Sequence, residues 1–416
     1  MRDVRMRGFA HRVDVEEVHA LLREHTHALT PEPVALEQLA GRVLAEAVRS
    51  RVDVPSFDRS AMDGYAVRGE DTFGASDYNP LSLELIGQAL PGHAFEGSLA
   101  QGQAVRIMTG APVPDGADAV VMAEVCEEID ERVEVRDAVS PRRHVGPVGE
   151  DITRGSLVLE PGRRLRPQDV GLLASIGASK ALCVRQPRVR LLITGDELLP
   201  AGSLPGGSRI VDSNSSMLLA LIDRDGGVAL PFEILPDQTN VVREMLQRSD
   251  ADVLLVSGGT SVGTEDHAPG LLAELGSLDF HGVSMRPSSP SGGGRIGDRM
   301  VFLLPGNPVS CLCAYEFFAG PTIRALGGRS REWPHVRVRV PLARKISSAV
   351  GRTDYVRVAI EAGRAVPIAT SGASILSSTV RATGAVIVPR ELEGLVEGSL
   401  VEVLLYGGLD EAEGCV

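Results

Sequence analysis

Between residues 188 and 326 the chain alternates short apolar runs with amphipathic stretches, and this alternation constrains the fold more than any other feature. Residues 189–194, 228–235, 252–257, 278–285 and 300–304 read as strands. Residues 213–225, 241–249, 265–275 and 308–326 read as helices, the first capped by Asp212 or Ser213 and closed by Gly226-Gly227. Strands separated by helices of this length need right-handed crossovers, so the expectation is a mainly parallel sheet covered on both faces.

In such a sheet, ligands bind beyond the carboxyl ends of the strands. Those ends read Thr194-Gly195-Asp196-Glu197, Pro236-Asp237, Ser257 to Gly263, Arg286-Pro287-Ser288-Ser289-Pro290, and Pro305-Gly306-Asn307-Pro308-Val309-Ser310. All are polar, glycine-rich or charged, and all are expected along one edge. The run Ser257-Gly258-Gly259-Thr260-Ser261-Val262-Gly263 lacks bulk where backbone N–H groups would approach an anion, and it then opens a helix. It is neither G-x-G-x-x-G nor a Walker loop, which disfavours dinucleotide or P-loop chemistry; the plain alternative is a strand-to-helix turn. Glu197, Asp237 and Asp266 are expected at the same edge. Three carboxylates without His or Cys suit Mg²⁺, although each acid alone also suits a helix cap or a solvated turn. Pro305-Gly306-Asn307-Pro308 makes a sharp turn, and Ser310 in the following helical turn has a hydroxyl to offer an oxyanion.

The flanks read differently. Residues 13–29 and 36–48 read as amphipathic helices, and 170–176 as another closed by Gly177. Residues 62–139 carry short apolar runs separated by Gly, Pro and Asp, an all-β pattern. After Trp333 the pattern is β again, at 336–340, 355–360, 385–388 and 400–405.

The chain has 42 Lys+Arg against 55 Asp+Glu, a net charge of −13, and only 4% aromatic residues. A net acidic field argues against nucleic-acid or anionic-membrane binding, and an anionic ligand needs a local basic patch. There is no apolar run of spanning length and no signal-peptide pattern. The five cysteines, Cys126, Cys183, Cys311, Cys313 and Cys415, are odd in number and lack C-x-x-C spacing, so neither a disulfide framework nor structural zinc is expected. A cytoplasmic protein with reduced thiols is the resulting expectation. The nine histidines show no ligand spacing, and there is no G-x-S-x-G elbow.

Several segments together resemble the molybdopterin molybdenumtransferase family, that of bacterial MoeA and the gephyrin E domain. They are 55–68 around Met62-Asp63-Gly64-Tyr65, Arg106-Ile107-Met108-Thr109-Gly110-Ala111-Pro112, Gly149-Glu150-Asp151-Ile152, Thr194-Gly195-Asp196-Glu197-Leu198, Ser257 to Gly263, and Leu304 to Ser310. The match spans nearly the whole chain in the family's order. It implies a multidomain α/β protein: a helical linker domain (1–50 and 142–185), a β insert (51–141), an α/β molybdopterin-binding domain (186–332) and a C-terminal β-barrel-like domain (333–416). It also implies a homodimer with a shared cleft, a molybdopterin adenylyltransferase as upstream partner, and insertion of metal from molybdate into adenylylated molybdopterin with Mg²⁺-assisted release of AMP. The catalytic positions carried over are Asp63, Thr109, Glu197, Asp237 and Asp266, the last three as metal ligands. Substrate contacts are expected from Ser257, Gly258, Gly259, Ser261, Gly263, Arg286, Pro305, Gly306, Asn307, Ser310, Arg352 and Arg357. The dimer is what would bring Asp63 and Thr109, in the β insert, to the α/β edge.

The chain also departs from the family. Where K-x-x-x-K-P-G-K-P is usual, the three lysines are replaced by Gly282, Arg286 and Ser289. An expected arginine triplet is Gly146-Pro147-Val148, and in Gly372-Ala373-Ser374-Ile375-Leu376-Ser377 an alanine takes the place of a serine. These exchanges remove positive charge from an anion site. Arg352 and Arg357, in the family-like segment Gly351 to Arg357, are the expected compensation. Two other functions stay open at this point: a paralogue that handles tungstate or another maturation step, and a non-catalytic gephyrin-like scaffold.

Overall fold

A computed structural model describes residues 12–248, 250–260, 267–369 and 372–407. The chain forms two compact units: one of residues 33–40 and 44–182, the other of residues up to 32, 41–43 and from 183 onward. The second unit begins with helix α1 (Val15–Glu24). The segment 36–48, expected as a helix, is a correction. Only Leu36–Gln38 forms a single 3₁₀ turn, and the chain then reverses at Gly41 with φ +79°. Beyond it Leu39, Val43 and Leu44 are buried, but from irregular and extended backbone. Apolar spacing alone did not distinguish the two.

The β-rich unit is built on a six-stranded sheet. Its strands are β1 (Gly64–Val67), β2 (Leu81–Ala89), β3 (Gln103–Ile107), β4 (Ala119–Met122), β5 (Cys126–Ile129) and β6 (Arg132–Val135), in spatial order β4-β1-β3-β2-β6-β5. Only β2 and β3 pair in parallel. Tyr65, Val67, Val121 and Val133 fill one side, Ala66, Val105, Ile107 and Val120 the other. In the same unit, the helix expected at 170–176 is α2 (Pro167–Ser175), which starts three residues earlier, with Pro167 in its first turn. Asp169 holds that start: its Oδ2 accepts the Arg166 N–H at 2.9 Å, and its carboxylate is gripped by Arg163 at 2.8 and 3.0 Å.

The other unit carries the α/β sheet. Its elements are β7 (Arg188–Thr194), α3 (Asn214–Asp225), β8 (Val228–Ala229), β9 (Ile234–Leu235), α4 (Thr239–Gln247), β10 (Val253–Ser257), α5 (Ala268–Leu275), β11 (Ser277–His281), β12 (Met285–Arg286), β13 (Gly292–Ile296), β14 (Arg299–Leu304), α6 (Pro308–Ala314) and α7 (Gly320–Leu326). The strand order is β8-β7-β10-β14-β13-β11, with β9 also on β7; all pairings from β8 to β14 are parallel, and β13 joins antiparallel to both neighbours. Alternation along the strands explains the two layers. Leu191, Ile193, Leu255 and Phe302 face α3 and α6–α7, while Leu192, Leu254, Val256 and Leu303 face α4 and α5. A π-helical turn, Tyr315–Ala319, joins α6 to α7 and buries Glu316.

Two strand readings needed correction. The run 228–235 is broken by Pro231 into two short strands. The run 278–285 ends at His281, before Gly282 with φ +90°, and Met285–Arg286 leaves for another sheet. That sheet is C-terminal: β12 with β15 (Arg337–Pro341), β16 (Thr353–Glu361), β17 (Arg364–Ala369), β18 (Gly384–Val388) and β19 (Leu400–Leu405). Its order is β12-β16-β18-β19-β15, with β17 on β16, and β12 is its parallel member. Cys126, Cys183, Cys311 and Cys313 are free thiols, Cys311 and Cys313 fully buried on the core face of α6. Cys415 lies outside the described residues.

Candidate active-site cleft

The carboxyl ends of β7, β10 and β14 converge, as the sequence predicts, on a cleft of about 590 Å³. Its walls come from Thr194, Glu197, Asp212 to Asn214, Ser257, Gly258, Gly306, Asn307 and Pro308, with Ser374 and Leu376 from the late family-like segment. The segment is tied down by the Val309 N–H, which donates to the Ala373 carbonyl at 2.9 Å.

Gly258 explains why the β10 loop can sit so near β7. Its φ is +98°, and a Cβ there would lie 2.2 Å from the Thr194 carbonyl oxygen, so no other residue fits. Asn214 fixes the cleft floor. Its Nδ2 donates to Ser257 Oγ at 3.0 Å and to the Gly306 carbonyl at 2.8 Å, tying α3 to the ends of β10 and β14. The Gly306 carbonyl can only accept, so the amide orientation is settled. Its Oδ1 is consequently left buried with no partner among the described residues. Asp212 is engaged locally: its Oδ1 accepts the N–H groups of Asn214 at 2.9 Å and Ser215 at 3.1 Å, opening α3.

The expected site residues divide accordingly. Glu197, Ser257, Gly258, Gly306 and Asn307 line the cleft. Gly259, Pro305, Asp237 and Ser310 do not line it. The Asp237 N–H points to Asp196 Oδ1 at 3.3 Å, and Ser310 is buried, its carbonyl accepting from Ser288 Oγ at 2.7 Å. Ser261, Gly263 and Asp266 lie outside the described residues, and no group of three metal-ligating side chains occurs among those described. Glu197 is exposed on the cleft wall, and the described acids offer only hard oxygen donors, the donor chemistry Mg²⁺ takes.

The expected arginines are engaged elsewhere. Asp354, 1% exposed, accepts from Arg352 Nε at 2.7 Å and Ser348 Oγ at 2.9 Å, and also pairs with Arg286. This knot fastens β12 to β16. Arg357 is 1% exposed within the C-terminal sheet. No lysine or arginine lines the cleft among the described residues.

In the β-rich unit, Asp63 and Thr109 form a pair. The Thr109 N–H and Oγ1 both donate to Asp63 Oδ1 at 2.7 Å. These bonds, the backbone one foremost, hold the exposed carboxyl below its usual range. Sequence reasoning missed Asn214 and the direct part of Ser374 and Leu376. The signal was present in Asp212-Ser213-Asn214, which reads as a helix cap, the role Asp212 fills.

Three family models match the chain: MoeA N-terminal region (domain I and II) over residues 13–177, Probable molybdopterin binding domain over 190–325, and MoeA C-terminal region (domain IV) over 339–406. Molybdopterin molybdenumtransferase of Haemophilus influenzae is 35% identical over 332 residues, 78% of this chain and 80% of that protein. The enzyme of that name from Bacillus subtilis is 34% identical over 388 residues, covering 90% and 89%. Among solved structures, a molybdopterin biosynthesis MoeA protein of Pyrococcus horikoshii superposes with a TM-score of 0.82 at 33% identity, covering 96% of this chain and all of that one.

Proposed function

The chain belongs to the MoeA family, and we propose on that premise that it is a molybdopterin molybdenumtransferase: it takes adenylylated molybdopterin and molybdate, releases AMP and leaves the metal on the dithiolene. One observation carries the reading. The cleft lies at the ends of β7, β10 and β14 within the matched molybdopterin-binding region, with Ser374 and Leu376 added from the C-terminal match, and its floor presents a buried, oriented acceptor, Asn214 Oδ1.

In this reading Asn214 receives an N–H of the ligand's heterocycle, and the Ser257-Gly258 turn supplies close backbone approach. Glu197 and Asp237, with Asp266, would hold Mg²⁺; when bound, it would neutralise phosphate charge and favour departure of the adenylate. Asp63, kept ionised by Thr109, is available as a proton acceptor. The assembly is a homodimer of four-domain chains, divided at the boundaries given above, acting in the cytoplasm after a molybdopterin adenylyltransferase. No described helix is long and apolar enough to cross a membrane.

The test is to incubate the protein with adenylylated molybdopterin, Mg²⁺ and either molybdate or tungstate, and to measure AMP release and metal incorporation. Turnover with molybdate is expected, lost on chelation and lost in a Glu197→Ala/Asp237→Ala double variant. Turnover with tungstate alone would reassign the anion. AMP release that survived both substitutions would refute the carboxylate site, and no turnover with either anion would refute the enzyme.

A further inference from the structure

A second recess, of about 410 Å³, opens in the α/β unit between the later turns of α1, the start of α7 and the segment leading into β15. Its walls are Leu22, Pro321 and the ring of Trp333, and two arginines, Arg23 and Arg331, share it. The Trp333 ring is set by neighbours: Phe317 meets it edge-on at 5.0 Å, and Tyr355 stands 6.3 Å away.

The arginines are the unusual element. Arg23 Nε donates to the His19 carbonyl at 3.2 Å, and Arg331 Nη2 to the Thr26 carbonyl at 2.9 Å. Neither has a carboxylate partner among the described residues, in a chain with 55 acids. By contrast Arg337, which also lines the recess, pairs with Glu332, another of its lining residues, at 3.2 Å and with Glu402 at 3.4 Å. The two unpaired guanidinium groups also act on each other: burial, then the charge of Arg23, draws Arg331 below its ordinary value. The other titratable neighbours are Glu332, held by Arg337, Glu16, which acts on His19, and His19 itself, whose Nε2–H donates to the Phe317 carbonyl at 2.9 Å and which burial keeps on its neutral side.

Two guanidinium cations, Arg331 partly buried and Arg23 exposed, share one concavity and repel, and the repulsion is relieved by an oxyanion that accepts from both. Guanidinium forks match phosphate geometry, and an indole face suits a flat ring. A phosphate monoester carries about −1.5 to −2 at neutral pH, close to the two charges present. We propose that this recess binds a small aromatic phosphate monoester, its phosphate held by Arg23 and Arg331 and its ring against Trp333.

Trp333 is the chain's only tryptophan, so its emission reports the recess directly. Phenyl phosphate is the probe, because it carries neither purine nor pterin and so does not depend on the cleft. A saturable emission change is expected, with affinity at least about tenfold above that for phenol or inorganic phosphate. Arg23→Gln and Arg331→Gln are each expected to weaken it by about tenfold or more. Arg337→Gln, whose guanidinium is already paired with Glu332 and Glu402, is expected to change it by less than about threefold. Arg23 is exposed and makes one backbone bond, so Arg23→Gln keeps the test valid if Arg331→Gln fails to fold. No saturable change up to about 10 mM phenyl phosphate overturns the proposal. So does equal binding by phenol, or binding untouched by Arg23→Gln.

Discussion

Asn214→Ala separates a binding role from a structural one. In the free protein the side chain makes two neutral hydrogen bonds, to Ser257 and Gly306, each with a net contribution of about 0.5–1.5 kcal/mol. Against this stands the buried Oδ1 with no partner, whose desolvation costs about 1–3 kcal/mol. Removing the side chain forfeits the first and relieves the second, so the free protein should lose no more than about 1–2 kcal/mol. In the complex the balance differs. The variant loses the bond to the ligand and leaves the ligand's N–H buried without an acceptor, a total of about 1.5–3 kcal/mol, or roughly 10- to 150-fold in affinity. Asn214→Asp is the sharper control: it keeps Oδ1 but sets an oxygen against the Gly306 carbonyl, so it should destabilise the free protein more than alanine does. Urea unfolding of each variant, with calorimetric titration of molybdopterin, reads both quantities. A variant that lost about 2 kcal/mol or more while binding molybdopterin within twofold of the parent would show that Asn214 is only a strut.

Three further outcomes follow from named contacts. Thr109→Val removes one of the two donors on Asp63, so the Asp63 carboxyl should titrate higher, towards its ordinary value, by NMR; an unchanged titration would mean that the hydroxyl contributes nothing. Burial raises the Glu316 carboxyl, but His335 at 3.4 Å and Arg224 at 2.6 Å outweigh it and bring it down to about 2 from 4.5. A lowered folded value means stability present above pH 4.5 and lost as pH falls towards 2; this acid limb should amount to about 3 kcal/mol in urea titrations and flatten in Glu316→Gln. Gly294→Ala would place a Cβ 1.8 Å from the Ser277 carbonyl oxygen and should cost about 3 kcal/mol, whereas Gly171→Ala, with open space in α2, should be neutral or stabilising by up to about 1 kcal/mol in thermal unfolding.

The α/β sheet was legible because it is buried on both faces. Every residue from Val189 to Thr194 is buried, so the run is apolar apart from Arg190, which pairs with Asp250, and its polar end stands out. The strand β13 was not legible, for the opposite reason. Ser291-Gly292-Gly293-Gly294 carries no apolar pattern to mark a strand, yet these glycines lie in the sheet because the Ser277 and Val301 carbonyls and the Phe280 ring come too close for side chains. The helix expected at 36–48 failed because Gly41 ends it while the same apolar spacing serves extended backbone. Glu197, Ser257 and Gly306 could be placed on the cleft from strand order alone. Asn214 could not: its two partners lie 43 and 92 residues away, and only the folded sheet brings their strand ends together.

Charge is where sequence and structure diverge most informatively. An acidic chain with an anionic ligand was expected to gather arginines at the cleft: Arg352 and Arg357 as compensation, beside the charge kept at Arg286; Arg357 is buried within the C-terminal sheet, which leaves Arg286 and Arg352. Both instead close on Asp354, because a buried carboxylate leaves its counter-ions little freedom to turn elsewhere. The described cleft wall therefore meets an anion with N–H groups, hydroxyls and an amide, and its own charged groups, Glu197 and Asp212, are negative. In the proposed function a divalent cation would bridge such a wall's carboxylates to the anion, so replacement of the family's lysines would make the acids more important, not less. The unpaired guanidinium groups lie in the recess beside Trp333. Glu332 lines the same recess but pairs with Arg337, which leaves Arg23 and Arg331 without a carboxylate of their own among the described residues and free for the proposed anion from solution.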